Sequence, residues 1–205
     1  MTFIKTKQEE RTPTAILMLM FFCIVGASIT GSSARDTFFL TQFDRSLLPL
    51  MFAAVAIVMV TAITVYNRIA ASLDLVKVIM ISTVFFCSTL FLIMLNLEGI
   101  VIPIFYVWTD VIISITILQF WLLAGEIFNP RQAKRLFSFI GIGGSIAGIS
   151  AGYLIKPFVK NFGAEKLLIP TIILIGMVAV FASYLQPYRS IKLKNKGKSI
   201  LDKDS

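Results

Sequence analysis

The chain has 205 residues, 57% of them hydrophobic, with a mean hydropathy of +0.87. A soluble domain needs far more polar surface than this, so that class is excluded. The net charge is +8, there is no histidine, and the two cysteines are too few and too isolated for a disulfide framework or a metal site.

Six apolar runs follow one another, over residues 14–34, 47–66, 78–96, 101–125, 136–157 and 167–185. Each is close to the ~20 residues that a helix needs to cross a ~30 Å hydrocarbon core. The expected fold is therefore an all-α membrane protein, a bundle of six transmembrane helices over 14–187. An N-terminal segment, 1–13, precedes it, and a basic tail or linker, 188–205, follows. The prolines fit these limits. Pro13, Pro49, Pro103 and Pro170 stand in a first turn, where a missing N–H costs nothing, and Pro157 and Pro187 close the fifth and sixth runs. Pro130 falls in the polar connector 126–135.

The first run ends on Gly31-Ser32-Ser33-Ala34, followed by Arg35 and Asp36. If the helix continues through Phe43 the charged pair lies in the membrane; if it ends near Ala34 the pair lies at the outer surface. A competing reading makes this run a cleaved signal peptide, with Lys5, Lys7 and Arg11 as its basic start and Ser32-Ser33-Ala34 as the cleavage site. Glu9 and Glu10 dilute that basic start. Cys23 and Cys87, both inside apolar runs, read as small buried hydrophobes.

Asp110 sits well inside the fourth run. An ionisable group at that depth costs a few kcal/mol on insertion scales, so it belongs in the bundle or beside water. At ~100° per residue, Asp110, Ser114, Ile117 and Trp121 share one stripe, with Gln119 opposite. An acid, a hydroxyl and an indole on one face suit a solvated cavity in which the indole stacks a planar ligand. The plainer alternative is a structural hydrogen bond to a neighbouring helix. A buried arginine needs a carboxylate, and Asp110 beside Asp36 is the candidate partner for Arg35.

The fifth run is rich in small residues. Gly141, Gly144, Ser145, Gly148 and Gly152 share a face whose small-xxx-small spacing is expected to let another helix pack closely. A phosphate loop would need a following Gly-Lys-Ser/Thr, which is missing. Ser145 stands in no nucleophile-elbow pattern, and without histidine the commonest general base is gone, so no enzyme activity is expected. No metal or organic cofactor is implied either.

Basic residues set the expected orientation. Lys5, Lys7, Arg11, Arg68, Lys77, Arg131, Lys134, Arg135 and the six from Arg189 to Lys203 fall on one side of the membrane. Arg35, Arg45, Lys156, Lys160 and Lys166 fall on the other. The excess places both termini in the cytoplasm. A basic rim over anionic lipid also accounts for the net charge without any nucleic-acid partner. The tail itself is too short and polar to be expected to fold, and reads as a juxtamembrane segment or as a linker to a further half.

Several of these residues carry a resemblance. Arg35-Asp36-Thr37-Phe38-Phe39-Leu40 resembles the Lys/Arg-Asp pair ending the first helix of ATP/ADP translocases, the nucleotide transporters of plastids and obligate intracellular bacteria. Trp108-Thr109-Asp110, Gln119-Phe120-Trp121, Ala133-Lys134-Arg135-Leu136-Phe137 and the glycine run follow that family's order. They are similar also to its bacterial major-facilitator-like relatives. The resemblance implies a carrier of about twelve helices in two halves, of which this chain supplies one. The second half would be a further six-helix unit or a homodimer partner, and the setting a bacterial inner membrane. It also implies that central charged residues contact an anionic nucleotide, Arg35 matching the basic residue of the first helix and Asp110 the acidic one of the fourth. With Asp36, Ser114 and Trp121 from the reading of the helix faces, these are the expected substrate-binding residues. Ser32 stands where several relatives have a second basic residue, and Asp110 is one methylene shorter than the usual glutamate, departures that bear on nucleotide specificity.

Overall fold

A computed structural model describes residues 8–70 and 73–201. Residues 1–7, with Lys5 and Lys7 of the expected N-terminal segment, and residues 202–205, with Lys203 of the tail, lie outside them. The elements are α1 (Gln8–Gln42), α2 (Leu48–Ala70), α3 (Leu75–Leu95), α4 (Val101–Ile127), α5 (Pro130–Phe162) and α6 (Leu168–Leu201). All six are long and apolar enough to cross a membrane, which makes the chain an integral, multi-pass membrane protein.

The helices overrun the apolar runs at several ends. α1 does not stop at Ala34 but continues to Gln42, which carries Arg35 and Asp36 inside the helix. α5 starts at Pro130, so the proline expected in a connector instead occupies the first helical position. There the Gln132 side chain accepts the Asn129 N–H at 2.9 Å. Pro13 lies inside α1, which starts at Gln8, rather than in a first turn. Pro157 and Pro187 lie within α5 and α6 rather than closing them, and the tail expected to be unfolded is helical through Leu201. Polarity misled here, because a helix emerging from the membrane satisfies its own backbone and needs no apolar side chains to persist.

Short turns separate the helices. The Asp44 and Asp74 carboxylates cap the next element by accepting the N–H of Ser46 and Val76 at 2.8 and 3.0 Å. Gly99 and Gly163, at φ of 54° and 87°, supply the left-handed residues in the turns before α4 and after α5.

α1 is the central helix and packs on α4, α5 and α6, while α3 packs on α4 and α6. α2 touches mainly α4 and leaves most of its apolar surface bare, as expected of a lipid-facing helix. The order of helix contacts is partly symmetric. Exchanging α1, α2 and α3 for α4, α5 and α6 turns the α1–α5 contact into α4–α2 and the α1–α6 contact into α4–α3. The α1–α4 and α3–α6 contacts map onto themselves. The likeness is in which helices touch and not in how closely: α1 packs far more extensively on α5 and α6 than α4 does on α2 and α3, and the contacts of α4 with α5 and α6 have no counterpart of like size. A three-helix unit crosses an odd number of times, so two such units have opposite orientations.

The packing face of α5 differs from expectation. A Cβ added at Gly141 or Gly152 would meet nothing within 4 Å, and one at Gly148 would only graze Ile29. At Gly143 it would collide with the backbone carbonyl of Met18, and at Gly144 it would lie 2.6 Å from the Phe21 ring. The buried stripe runs through Leu136, Ile140, Gly143, Gly144, Ala147 and Ala151. Of the predicted stripe only Gly144 belongs to it. α5 approaches α1 on the flank carrying both small residues and the large Leu136 and Ile140, so the glycine-only stripe is turned partly outward.

Candidate functional site

Because α1 runs on to Gln42 and crosses α4, Arg35 comes to Asp110. The Arg35 guanidinium forms ion pairs with the carboxylates of Asp110 and of its neighbour Asp36, the latter at 3.0 Å from Nε. Its Cζ lies 4.4 Å from the centroid of the Tyr106 ring, a cation–π contact one turn from Asp110 on α4. Phe38, Phe39 and Phe105 wall this group, with Phe39 5.1 Å from Tyr106 and Phe38 6.4 Å from Phe105 between ring centroids. One turn deeper, Thr30 and Thr171 join α1 to α6 through a 2.8 Å hydrogen bond. Gly31 leaves room there: a Cβ would press on Thr171 and Thr109 at 3.3 and 3.4 Å.

The exposure within the cluster is uneven. The Arg35 side chain is 11% exposed, Asp110 25% and Asp36 48%. One guanidinium against two carboxylates leaves a formal charge of −1, and the open edge of the cluster is acidic. A carboxylate does not face hydrocarbon in a stable helix, so this edge must face water or another protein surface.

Of the residues anticipated for the site, the fold brings together Arg35, Asp36 and Asp110, with half-buried Ser114 one turn beyond Asp110. Trp121 is not part of it. Eleven residues along α4 put it ~16 Å away, packed at 5.0–5.8 Å against Phe21, Phe120 and Phe137. A shared stripe is not a shared site when the stripe is three turns long. Tyr106 was missed, although its position four residues before Asp110 puts it on the same stripe.

Two further polar groups clamp the end of the bundle that carries both termini. Glu10 on α1 binds Gln132 and Arg135 on α5, at 2.6 and 2.5 Å. Arg189 on α6, 8% exposed, pairs with Asp74 before α3 and Glu126 on α4. The hydrogen bond from Arg189 holds the Asp74 carboxyl below the usual carboxylate range. From sequence Arg189 was a tail charge and Glu126 part of a connector; nothing in the spacing marks them as partners 63 residues apart.

Among the described residues no group of acids and cysteines could hold a metal ion. No protein-family model, no curated protein and no solved structure matches the chain.

Proposed function

We propose that the chain is one six-helix half of a secondary carrier, of the kind suggested by its resemblance to ATP/ADP-type antiporters. The observation that carries this reading is the Arg35–Asp36–Asp110 group, set inside the bundle on α1 and α4. Those are the first helices of the two three-helix halves of the chain, and carriers built from inverted repeats hold their solute at the interface between repeats. A charged group with an open acidic edge is a costly scaffold and suits a solute site.

The charge balance sets the terms for a solute. An anionic nucleotide has to displace Asp36 or Asp110 from Arg35, or bind after a carboxylate has taken up a proton. A cationic solute or a proton meets the −1 cluster directly, and the greater exposure of the two carboxylates favours this as the second reading. The full assembly, with a second half or a second copy, reconstituted in vesicles with labelled ATP, ADP and organic cations, tests the proposal. Solute uptake lost in both Asp110→Asn and Arg35→Gln supports it, and the labelled class transported decides between the readings. Uptake unaffected by either change would instead favour a non-transporting membrane subunit.

A further inference from the structure

Away from the Arg35 cluster, α2, α3 and α4 enclose a groove of about 580 Å³ that opens sideways between exposed Ile57, Ile69 and Ile81. On α2 it runs from Ile57 to Ile69, ~18 Å at 1.5 Å per residue, more than half of a ~30 Å hydrocarbon core. Its shallow end lies at the end of the bundle carrying both termini, by Ile69, Leu73 and Val78. Its deep end is closed by Phe85, Phe86 and Trp108, whose indole is fixed by a 2.9 Å hydrogen bond to Thr89.

The lining is apolar apart from Thr61, whose hydroxyl bonds back to the Ile57 carbonyl, and one further level. Tyr66 and Ser82 reach the groove, and behind them Gln119 donates to Ser82 at 2.7 Å. Tyr66 and Gln119 are 7% and 1% exposed, and they are close enough to interact. Even so, neither the Tyr66 hydroxyl nor the Gln119 amide oxygen completes a hydrogen bond. They are a donor and an acceptor within reach of one another, and with Ser82 they give the groove wall a polar level. At the shallow mouth, exposed Arg68 and Lys77 flank Ile69 and Val78, and neither forms an ion pair among the described residues. Asp74, the nearest acid in the sequence, is already held by Arg189.

We infer that this groove is a binding site for one anionic phospholipid from the leaflet at the termini end. An acyl chain lies along α2 and α3, the ester groups lie at the level of Tyr66 and Ser82, and the phosphate sits between Arg68 and Lys77. Length, apolar walls, a polar step near the glycerol level and two free cations at the mouth match that molecule in order from tail to head.

Trp108 gives the test a built-in reporter once the other tryptophan is removed by Trp121→Phe. The full chain is reconstituted in phosphatidylcholine vesicles containing phosphatidylglycerol or phosphatidylcholine brominated deep on one chain, and Trp108 quenching is titrated. The anionic lipid is expected to reach half-maximal quenching at roughly thirtyfold lower mole fraction, from two basic contacts of about fivefold each. Arg68→Gln with Lys77→Gln, both exposed and safe for folding, should erase the preference while leaving Trp108 emission unchanged. Equal quenching by both headgroups would reduce the groove to ordinary bilayer contact and overturn the site. Quenching by neither would overturn it too, and would give the groove to a protein helix, a second copy of this chain or a second half.

Discussion

At the residue scale, the account turns on which charges are held and by what. Arg35 and Asp110 are each uncomfortable alone in a bundle and tolerable as a pair. Asp110→Asn or Arg35→Gln should each lower stability in detergent by about 2–3 kcal/mol, the lower end for a partly buried pair because Asp110 keeps some exposure. The double substitution should cost less than the sum of the two, which thermal melts of all four proteins would show. Strict additivity would mean the two charges do not support one another. Asp74 makes a different prediction. Its native pKa is depressed by Arg189, so its contribution is complete above the ordinary carboxylate range and is lost as pH falls through the native value. Melting temperature should drop on acidification below about pH 4, and Asp74→Asn should flatten that limb. A limb unchanged in Asp74→Asn would assign the acid sensitivity elsewhere. The pairing of Arg35 with Asp110 could be anticipated because a lone arginine so deep needs a carboxylate. The Arg189 clamp could not, since its partners are set by where three helix ends converge.

At the element scale, the number and type of helices were legible because ~20-residue apolar runs have few other uses. Their ends were not. α5 gains its first six residues, 130–135, through a proline at the first position and a glutamine side chain, signals that hydropathy ignores. The same weakness applies to the small-residue face. Glycine spacing alone pointed to Gly141, Gly144, Gly148 and Gly152, whereas contact keeps only Gly144 of these and follows Gly143, Ala147 and Ala151 beside it, because alanine is small enough and Leu136 and Ile140 set the rotation. Gly143→Leu should therefore destabilise the protein by about 3 kcal/mol or more, the upper end of overpacking costs. Gly152→Leu should be nearly neutral. Melts in detergent check this, and equal losses at the two sites would mean that α5 does not meet α1 on the described face.

At the scale of the whole molecule, six crossings were readable from composition, while the pairing of helices within the bundle was not, because packing constrains size and rotation rather than residue identity. The orientation rests on the distribution of lysine and arginine. Reporter fusions at Glu98 and after Ser205 should therefore fall on opposite faces, with the Ser205 fusion cytoplasmic; the same face for both would break the topology. The carrier reading depends on one physical property above the rest, water at the Arg35–Asp110 group from inside an otherwise apolar bundle. In a chain with Cys23 and Cys87 replaced by alanine, Ser114→Cys lies one turn from Asp110, and Thr116→Cys, on a residue only 4% exposed, serves as the buried reference. Both are treated in native membranes with a membrane-impermeant thiol reagent. The account predicts that Ser114→Cys reacts and Thr116→Cys does not. A Ser114→Cys as inert as Thr116→Cys would show a sealed ion pair, a structural lock with no solute path.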